Sequence, residues 1–140
     1  MVSSILCPNR LGGCYIDWER LADIYRRAYG GRMPVQRIEN IFRRSYVTRL
    51  AYLNYRFVGA VYAFYDGELD ATIHGLAVDP DFQRRGIGTQ LMKSILSAFP
   101  KHIAVLWTAE EQYHDFYRKL GFRRLKTAMA IGFPAEQMEG

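Results

Sequence analysis

The chain has 140 residues, 49% apolar and 24% charged, with a net charge of +5. That is an ordinary folded-domain composition, long enough to bury roughly two-thirds of its unfolded surface without disulfide or metal staples, so disordered, collagen-like and coiled-coil classes are excluded. A membrane-spanning helix is excluded too, because no uncharged apolar stretch approaches the ~20 residues that a bilayer requires.

Residues 1–7, Met1-Val2-Ser3-Ser4-Ile5-Leu6-Cys7, lack the basic flank and long apolar run of a signal peptide, so the chain reads as cytoplasmic with no membrane partner. Cys7 and Cys14 read as plain thiols, and with His74, His102 and His114 they give no metal-ligand spacing. Trp18, Leu21, Tyr25 and Ala28 recur at helical spacing behind Asp17, which predicts a capped helix over 17–29 ended by Gly30-Gly31. Val35, Ile38, Ile41 and Phe42 repeat the pattern after Pro34 and give a second helix to about residue 45. Residues 46–53 and 55–65 read as antiparallel strands turning at Asn54, with Asp66-Gly67 leading into a further strand at 69–78. That strand stops at Asp79-Pro80, where a ladder N–H is lost. A Gly-bearing loop at 83–88 opens a helix with Ile87, Leu91, Ile95 and Phe99 on its apolar face. Pro100 breaks it, and residues 102–107 read as a buried strand. A last helix carries Tyr113, Phe116, Tyr117 and Leu120 up to Gly121, and residues 122–133 read as terminal strands. The order ααβββαβαββ, with no repeat or linker, predicts a mixed sheet covered by helices.

The positive charge is spread along the chain. The doublets Arg26-Arg27, Arg43-Arg44, Arg84-Arg85 and Arg123-Arg124 are separated and interleave with no nucleic-acid-reading motif, so no nucleic acid is expected as a partner. A modest positive field equally suits a small polyanionic cofactor.

The informative segment runs Leu76-Ala77-Val78-Asp79-Pro80-Asp81-Phe82-Gln83-Arg84-Arg85-Gly86-Ile87-Gly88-Thr89. A strand passes through a turn into a helix opened by two glycines, so unpaired backbone N–H groups converge with the positive end of the helix dipole. Such a cup holds anions, and the glycines let a phosphate approach the backbone. It is neither a Walker loop, since no Gly-Lys-Ser/Thr follows, nor a dinucleotide fingerprint, since the third glycine is missing.

Gln83-Arg84-Arg85-Gly86-Ile87-Gly88, behind its strand, resembles the acetyl-coenzyme A signature Gln/Arg-x-x-Gly-x-Gly/Ala of the GNAT superfamily of N-acetyltransferases. Downstream, Phe116-Tyr117-Arg118-Lys119-Leu120-Gly121-Phe122 resembles the second signature of the same superfamily. The resemblance implies one N-acetyltransferase domain over residues 1–140. It implies an α/β fold whose mixed, mostly antiparallel sheet is splayed between its fourth and fifth strands and flanked by helices. Acetyl-CoA is the implied co-substrate, with no metal. By the same resemblance the pantetheine arm pairs with the backbone of Leu76, Ala77 and Val78. The pyrophosphate then rests on N–H groups of Arg84, Arg85, Gly86, Ile87, Gly88 and Thr89, with Gln83 opening the motif.

Acetyl transfer from a thioester to an amine needs a neutral amine, support for the carbonyl oxygen as it gains charge, and a proton for the departing thiolate. The family geometry assigns the carbonyl oxygen to the Leu76 N–H, freed where the strands splay. Tyr117 matches the family's general-acid tyrosine and stays protonated at neutral pH; as plain structure it completes an apolar helix face. Alternation puts Asp70, Thr72, His74 and Leu76 on one strand face and Ala71, Ile73, Gly75 and Ala77 on the other, so His74 is the candidate base, one step from the acetyl position. The segment 72–78 is similar to the fourth strand of arylalkylamine acetyltransferases, where histidines alternate, but Thr72 stands at the earlier position. His74 reads otherwise as a satisfied, partly buried histidine.

The stretch Ala109-Glu110-Glu111-Gln112 lacks the Asn that many members carry early in the last helix, among them those acting on protein N-termini. The aromatic residues Tyr15, Trp18, Tyr25, Tyr29 and Phe42 supply core and, in part, a lid for an acceptor. The leading reading is therefore an acetyl-CoA-dependent N-acetyltransferase acting on a small primary amine. Its alternatives are a protein lysine or N-terminal acetyltransferase and a non-catalytic coenzyme A-binding module. Homodimerisation through residues 122–133 is expected by fold analogy.

Overall fold

A computed structural model of the chain describes residues 4–6 and 16–139; Cys7, Cys14 and Tyr15 lie outside the described residues. Its contacts fall into two units, Met1–Trp107 and Thr108–Gly140.

In the first unit, Asp17 caps α1 (Trp18–Tyr29) by accepting the Arg20 N–H at 3.0 Å, and Pro34 precedes α2 (Val35–Arg44). The chain then enters β2 (Val47–Leu53) and β3 (Arg56–Tyr65), turning at Asn54 and Tyr55 with φ of +51° and +63°, a turn that matches the right-handed twist of its strands. The Asp66 carboxylate accepts the N–H groups of Glu68 and Leu69 at 2.8 Å and shapes the loop into β4 (Asp70–Val78). Next come α3 (Ile87–Leu96) and β5 (Ala104–Trp107). An N-terminal strand absent from the sequence reading, β1 (Ser4–Leu6), pairs antiparallel with β2; three residues without a flanking turn give no periodicity to read. The sheet order is β1-β2-β3-β4-β5, antiparallel throughout except for the parallel pair β4–β5.

Helices cover both faces of this sheet. Leu21, Ile24 and Tyr25 of α1 and Ile38 and Phe42 of α2 pack with Leu50, Ala60 and Ala77 in one buried cluster. Gly59, next to Ala60 and therefore on the other face, lies against Ile87 and Leu91 of α3, where an added Cβ would come within 3.0 Å of Leu91.

Two expectations fail at the C-terminal side. Residues 102–107 are expected as a buried strand, yet the strand there, β5, is the sheet edge, its residues alternating between exposed and half-buried. Residues 122–133 form no strand. Leu125, Met129 and Ile131 there are exposed, and without a neighbour to accept its backbone hydrogen bonds an apolar run does not become a strand. The second unit carries α4 (His114–Lys119) behind a 3₁₀ turn at Glu111–Tyr113.

The strand that matters for the site is irregular. Ala60 pairs with Ala77 but Tyr62 pairs with His74, so β4 carries one residue more than β3 across this interval. The extra residue is accommodated at Gly75, whose φ of +61° lies in the left-handed region of a glycine bulge. A Cβ there would stand 2.3 Å from Cε1 of Tyr62. The bulge also overturns the simple alternation, because Ala77 shares the α1–α2 face with His74 instead of opposing it.

Beyond the bulge, β4 ends on a buried ion cluster. Asp79, 1% exposed, accepts from Arg20 at 2.7 Å and from Arg27 at 2.7 and 2.8 Å, and its Oδ1 also accepts the Asp81 N–H at 3.0 Å. Arg20 donates from Nε to the Phe57 carbonyl at 2.9 Å, and Arg27 reaches Asp81 at 2.9 Å. Desolvation alone would raise the Asp79 carboxyl; the Asp81 N–H and the two guanidinium groups outweigh it and hold the carboxyl below its ordinary value. α1 is thereby tied to the start of the loop after β4.

Gly75→Ala should cost more than the ~1–2 kcal/mol that left-handed backbone alone imposes, because of the Tyr62 ring. Urea denaturation reads this, and a loss under about 1 kcal/mol would show that the ring does not restrict the position. Asp79→Asn should cost about 3–5 kcal/mol, since it leaves buried arginine charge uncompensated. A depressed carboxyl contributes stability above its unfolded pKa of about 3.9 and loses it as pH falls through the lower folded value. The unfolding free energy of the wild type should therefore fall off below about pH 4, and that of Asp79→Asn should fall less there.

Candidate functional site

β4 is bordered by two strands over only half its length. Its pairing with β5 runs from Asp70 opposite Ala104 to Ile73 opposite Trp107 and stops there. From His74 to Val78 the strand continues against β3 alone, so backbone beyond Ile73 has no β5 partner, and the bulge at Gly75 lies at the start of this stretch. The sheet thus opens where the sequence reading placed a gap between its fourth and fifth strands.

Several carbonyls here are already met by side chains. The Tyr25 hydroxyl donates to the Gly75 carbonyl at 2.5 Å, the Tyr29 hydroxyl donates to the Leu76 carbonyl, and the Gln83 amide donates to the Val78 carbonyl at 3.0 Å. The two tyrosines lie one helical turn apart on α1 with rings stacked at 6.2 Å. Burial, and then the neighbouring Tyr62 and Tyr29, push the Tyr25 phenol well above its ordinary value, so it stays a donor. Sequence reasoning counted these residues only as core or lid aromatics. Their i, i+4 spacing was legible, but the carbonyls they reach, 50 and 47 residues away, were not. A carbonyl oxygen has two lone pairs, so these bonds leave room for a second donor.

The loop after Asp79 makes a 3₁₀ turn at Pro80–Phe82, passes through Arg84 with φ +64°, and reaches Gly86 with φ +82° as the residue preceding α3. No side chain caps this helix among the described residues, and its first backbone bond runs from the Gln90 N–H to the Gly86 carbonyl at 3.1 Å. The N–H groups of Ile87, Gly88 and Thr89 therefore precede the helical ladder and lie at the positive end of the α3 dipole. A Cβ on Gly86 would meet nothing within 4 Å. The glycine is thus required by its φ and leaves open space in front of the loop. Gln83, Arg84 and Arg85 are exposed around it, with the Arg85 guanidinium 5.3 Å from the Phe82 ring centroid. These features fit a diphosphate: backbone donors, two unburied arginines and room for the group.

His74 is half-buried on the α1–α2 face. Its Nε2 lies 3.0 Å from Thr72 Oγ1, and its ring stacks on Tyr62 at 5.8 Å and meets Phe64 edge-on at 5.6 Å. Burial lowers its pKa below 6.5, so the imidazole is neutral at neutral pH and can accept a proton. Thr72, which interrupts the histidine alternation, is thus the partner that orients His74. Tyr117 belongs to the second unit, where it is buried and packs edge-on against Phe116 at 4.9 Å and Phe122 at 5.8 Å. The structure brings His74, Leu76, Ala77, Val78 and the loop 83–89 together along one strand and its exit. Among the described residues no group of His, Cys, Asp or Glu is arranged to hold a metal, and no helix is long and apolar enough to cross a membrane.

The same fold occurs among known proteins. The chain is similar to a GNAT family acetyltransferase structure from Streptococcus pneumoniae, with a TM-score of 0.78 and 26% identity over 96% of this chain and 99% of that one. It is 42% identical over 57 residues to an uncharacterised N-acetyltransferase of Methanocaldococcus jannaschii and 28% identical over 97 residues to one of Gracilaria tenuistipitata. Those alignments cover 37% and 65% of this chain, and the chain spans 25% and 53% of the length of these curated relatives. The sequence model of the acetyltransferase (GNAT) family matches residues 17–122, most of the chain, and the chain therefore belongs to that family.

Proposed function

We propose that this protein is an acetyl-CoA-dependent N-acetyltransferase, a single domain over residues 1–140, that acylates a small primary amine by direct attack on the thioester. The observation that carries the reading is the half-strand His74–Val78, left without a β5 partner and leading through the loop after Asp79 to an uncapped helix N-terminus with open space at Gly86. An extended chain with amide groups can lie along such a strand, and a diphosphate can rest on the loop beyond it.

In this reading the backbone of Leu76, Ala77 and Val78 pairs with the pantetheine arm. Gln83 sets the strand exit through its bond to the Val78 carbonyl. The N–H groups of Arg84, Arg85, Gly86, Ile87, Gly88 and Thr89 hold the pyrophosphate. Acetyl-CoA, when bound, supplies the activated acyl group. The Leu76 N–H donates to the acyl carbonyl oxygen as charge develops on it, a position favoured because Leu76 has no register partner on β3. His74, neutral and held by Thr72, takes the proton that the amine loses, directly or through one water. The C–N bond forms, the C–S bond breaks, and Tyr117 gives its proton to the departing thiolate and regains one from solvent.

His74→Gln should lower kcat/KM by about 10²–10⁴, the share typical of one proton-transfer group, and Tyr117→Phe by a similar factor. Neither change should move coenzyme A affinity. Because burial depresses the His74 pKa, the acidic limb of the wild-type kcat/KM profile should lie below pH 6.5, and in His74→Gln it should disappear. Thiol release followed between pH 5 and 9 checks both, and an acidic limb that persists unchanged in His74→Gln would assign the base elsewhere.

A further inference from the structure

A groove of 520 Å³ lies on the same face of the sheet as His74 and on none of the residues assigned above. It is lined by Pro34, Arg37, Asn40, Ile41, Arg44 and Phe64. Arg37 and Arg44 are seven residues apart on α2, so they project from the same helix face about 10 Å apart, with Ile41 between them and Phe64 of β3 opposite. Phe64 joins the groove to the surroundings of the candidate base, since its ring lies edge-on to His74 at 5.6 Å and to Tyr62 at 5.9 Å.

Its charge is one-sided. The acidic residue of α2, Glu39, is held by Arg43 at 2.9 Å, and the Arg43 guanidinium also lies 5.4 Å from the Trp18 ring centroid. Arg37 and Arg44 are exposed, and among the described residues neither meets a carboxylate within 4.0 Å. Two unpaired guanidinium groups flanking an apolar floor of Ile41 and Phe64 suit a small molecule with an apolar body and an anionic end. Three other arginines of this unit are engaged instead, Arg20 and Arg27 on Asp79 and Arg49 on Ser94.

We propose that this groove seats the acceptor and that Arg37 and Arg44 bind an anionic group on it, carboxylate or phosphate, so that the substrate is a primary amine that also bears an acid. The inference rests on the acetyl-transfer reading and narrows it. The anion anchors at the arginines, the body lies on Ile41 and Phe64, and the amine points along the sheet face toward His74.

The test uses two pairs of primary amines in which one member carries the acid: tyramine with tyrosine, and ethanolamine with phosphoethanolamine. For each, thiol release from acetyl-CoA and calorimetric binding in the presence of coenzyme A are measured on the full chain and on the Arg37→Gln/Arg44→Gln variant. The acidic member of at least one pair should be favoured at least ten-fold in kcat/KM or in affinity. The double variant should lose that preference while binding coenzyme A as the wild type does. A preference confined to tyrosine identifies a carboxylate, and one confined to phosphoethanolamine a phosphate. Coenzyme A binding with equal handling of both members of both pairs, or a preference that the double variant keeps, overturns the groove assignment alone. Absence of coenzyme A binding by the wild type overturns the acetyl-transfer reading and this inference with it.

Discussion

One inserted residue in β4 organises the rest of the first unit. Opposite Ala60 to Tyr62 the strand has to fit an additional residue, and Gly75 absorbs it with a positive φ at a point where the Tyr62 ring leaves no space for a Cβ. The pleat then changes phase. His74 before the bulge and Ala77 after it both face α1 and α2, so the candidate base looks into the same side of the sheet as the α2 groove. The bulge also leaves Gly75 and Leu76 out of the β3 register, which is why Tyr25 and Tyr29 can reach their carbonyls from α1. A regular strand would have kept these residues in register with β3; the opening on the other side comes from β5, whose pairing stops at Trp107.

The second constraint is electrostatic. A loop that presents backbone N–H groups must be held without using those groups, and here the holding is done from behind. Asp79 is buried at the strand exit and takes bonds from two arginines of α1, while its neighbour Asp81 takes one more. Breaking a buried cluster of this kind is far costlier than an exposed ion pair, which contributes ~0–1 kcal/mol. The loop therefore keeps its shape while the start of α3 stays uncapped. Rigidity behind and open donors in front are the properties a polyanion site requires.

The sequence made some of this plain and hid the rest for definable reasons. The two helices, the β2–β3 hairpin and the strand–loop–helix were legible because helical and strand periods, Asp17 and Asn54 each carry a local physical cause. Residues 102–107 and 122–133 misled because apolar content does not tell an edge strand from a central one, nor a strand from an unpaired coil. β1 was too short to show a period. At the site, the signature residues and His74 could be named from the sequence, yet strict alternation put Ala77 on the wrong face, since a glycine bulge is invisible to a two-residue period. Tyr25, Tyr29, Arg37 and Arg44 acquire their meaning from partners far away in sequence, and only the fold supplies those.

The account depends on the loop from Gln83 to Thr89 presenting free backbone donors to a diphosphate beside an open half-strand. The direct measurement is a titration of isotope-labelled protein with coenzyme A, following backbone amide resonances, with Gly86→Val as the control. The amides of residues 84–89 and of Leu76 to Val78 should shift most and saturate together, and the control should show neither response while keeping the wild-type spectrum elsewhere. Amides of this segment that stay unmoved while coenzyme A binds at another surface, or a control that responds as the wild type does, would contradict the account.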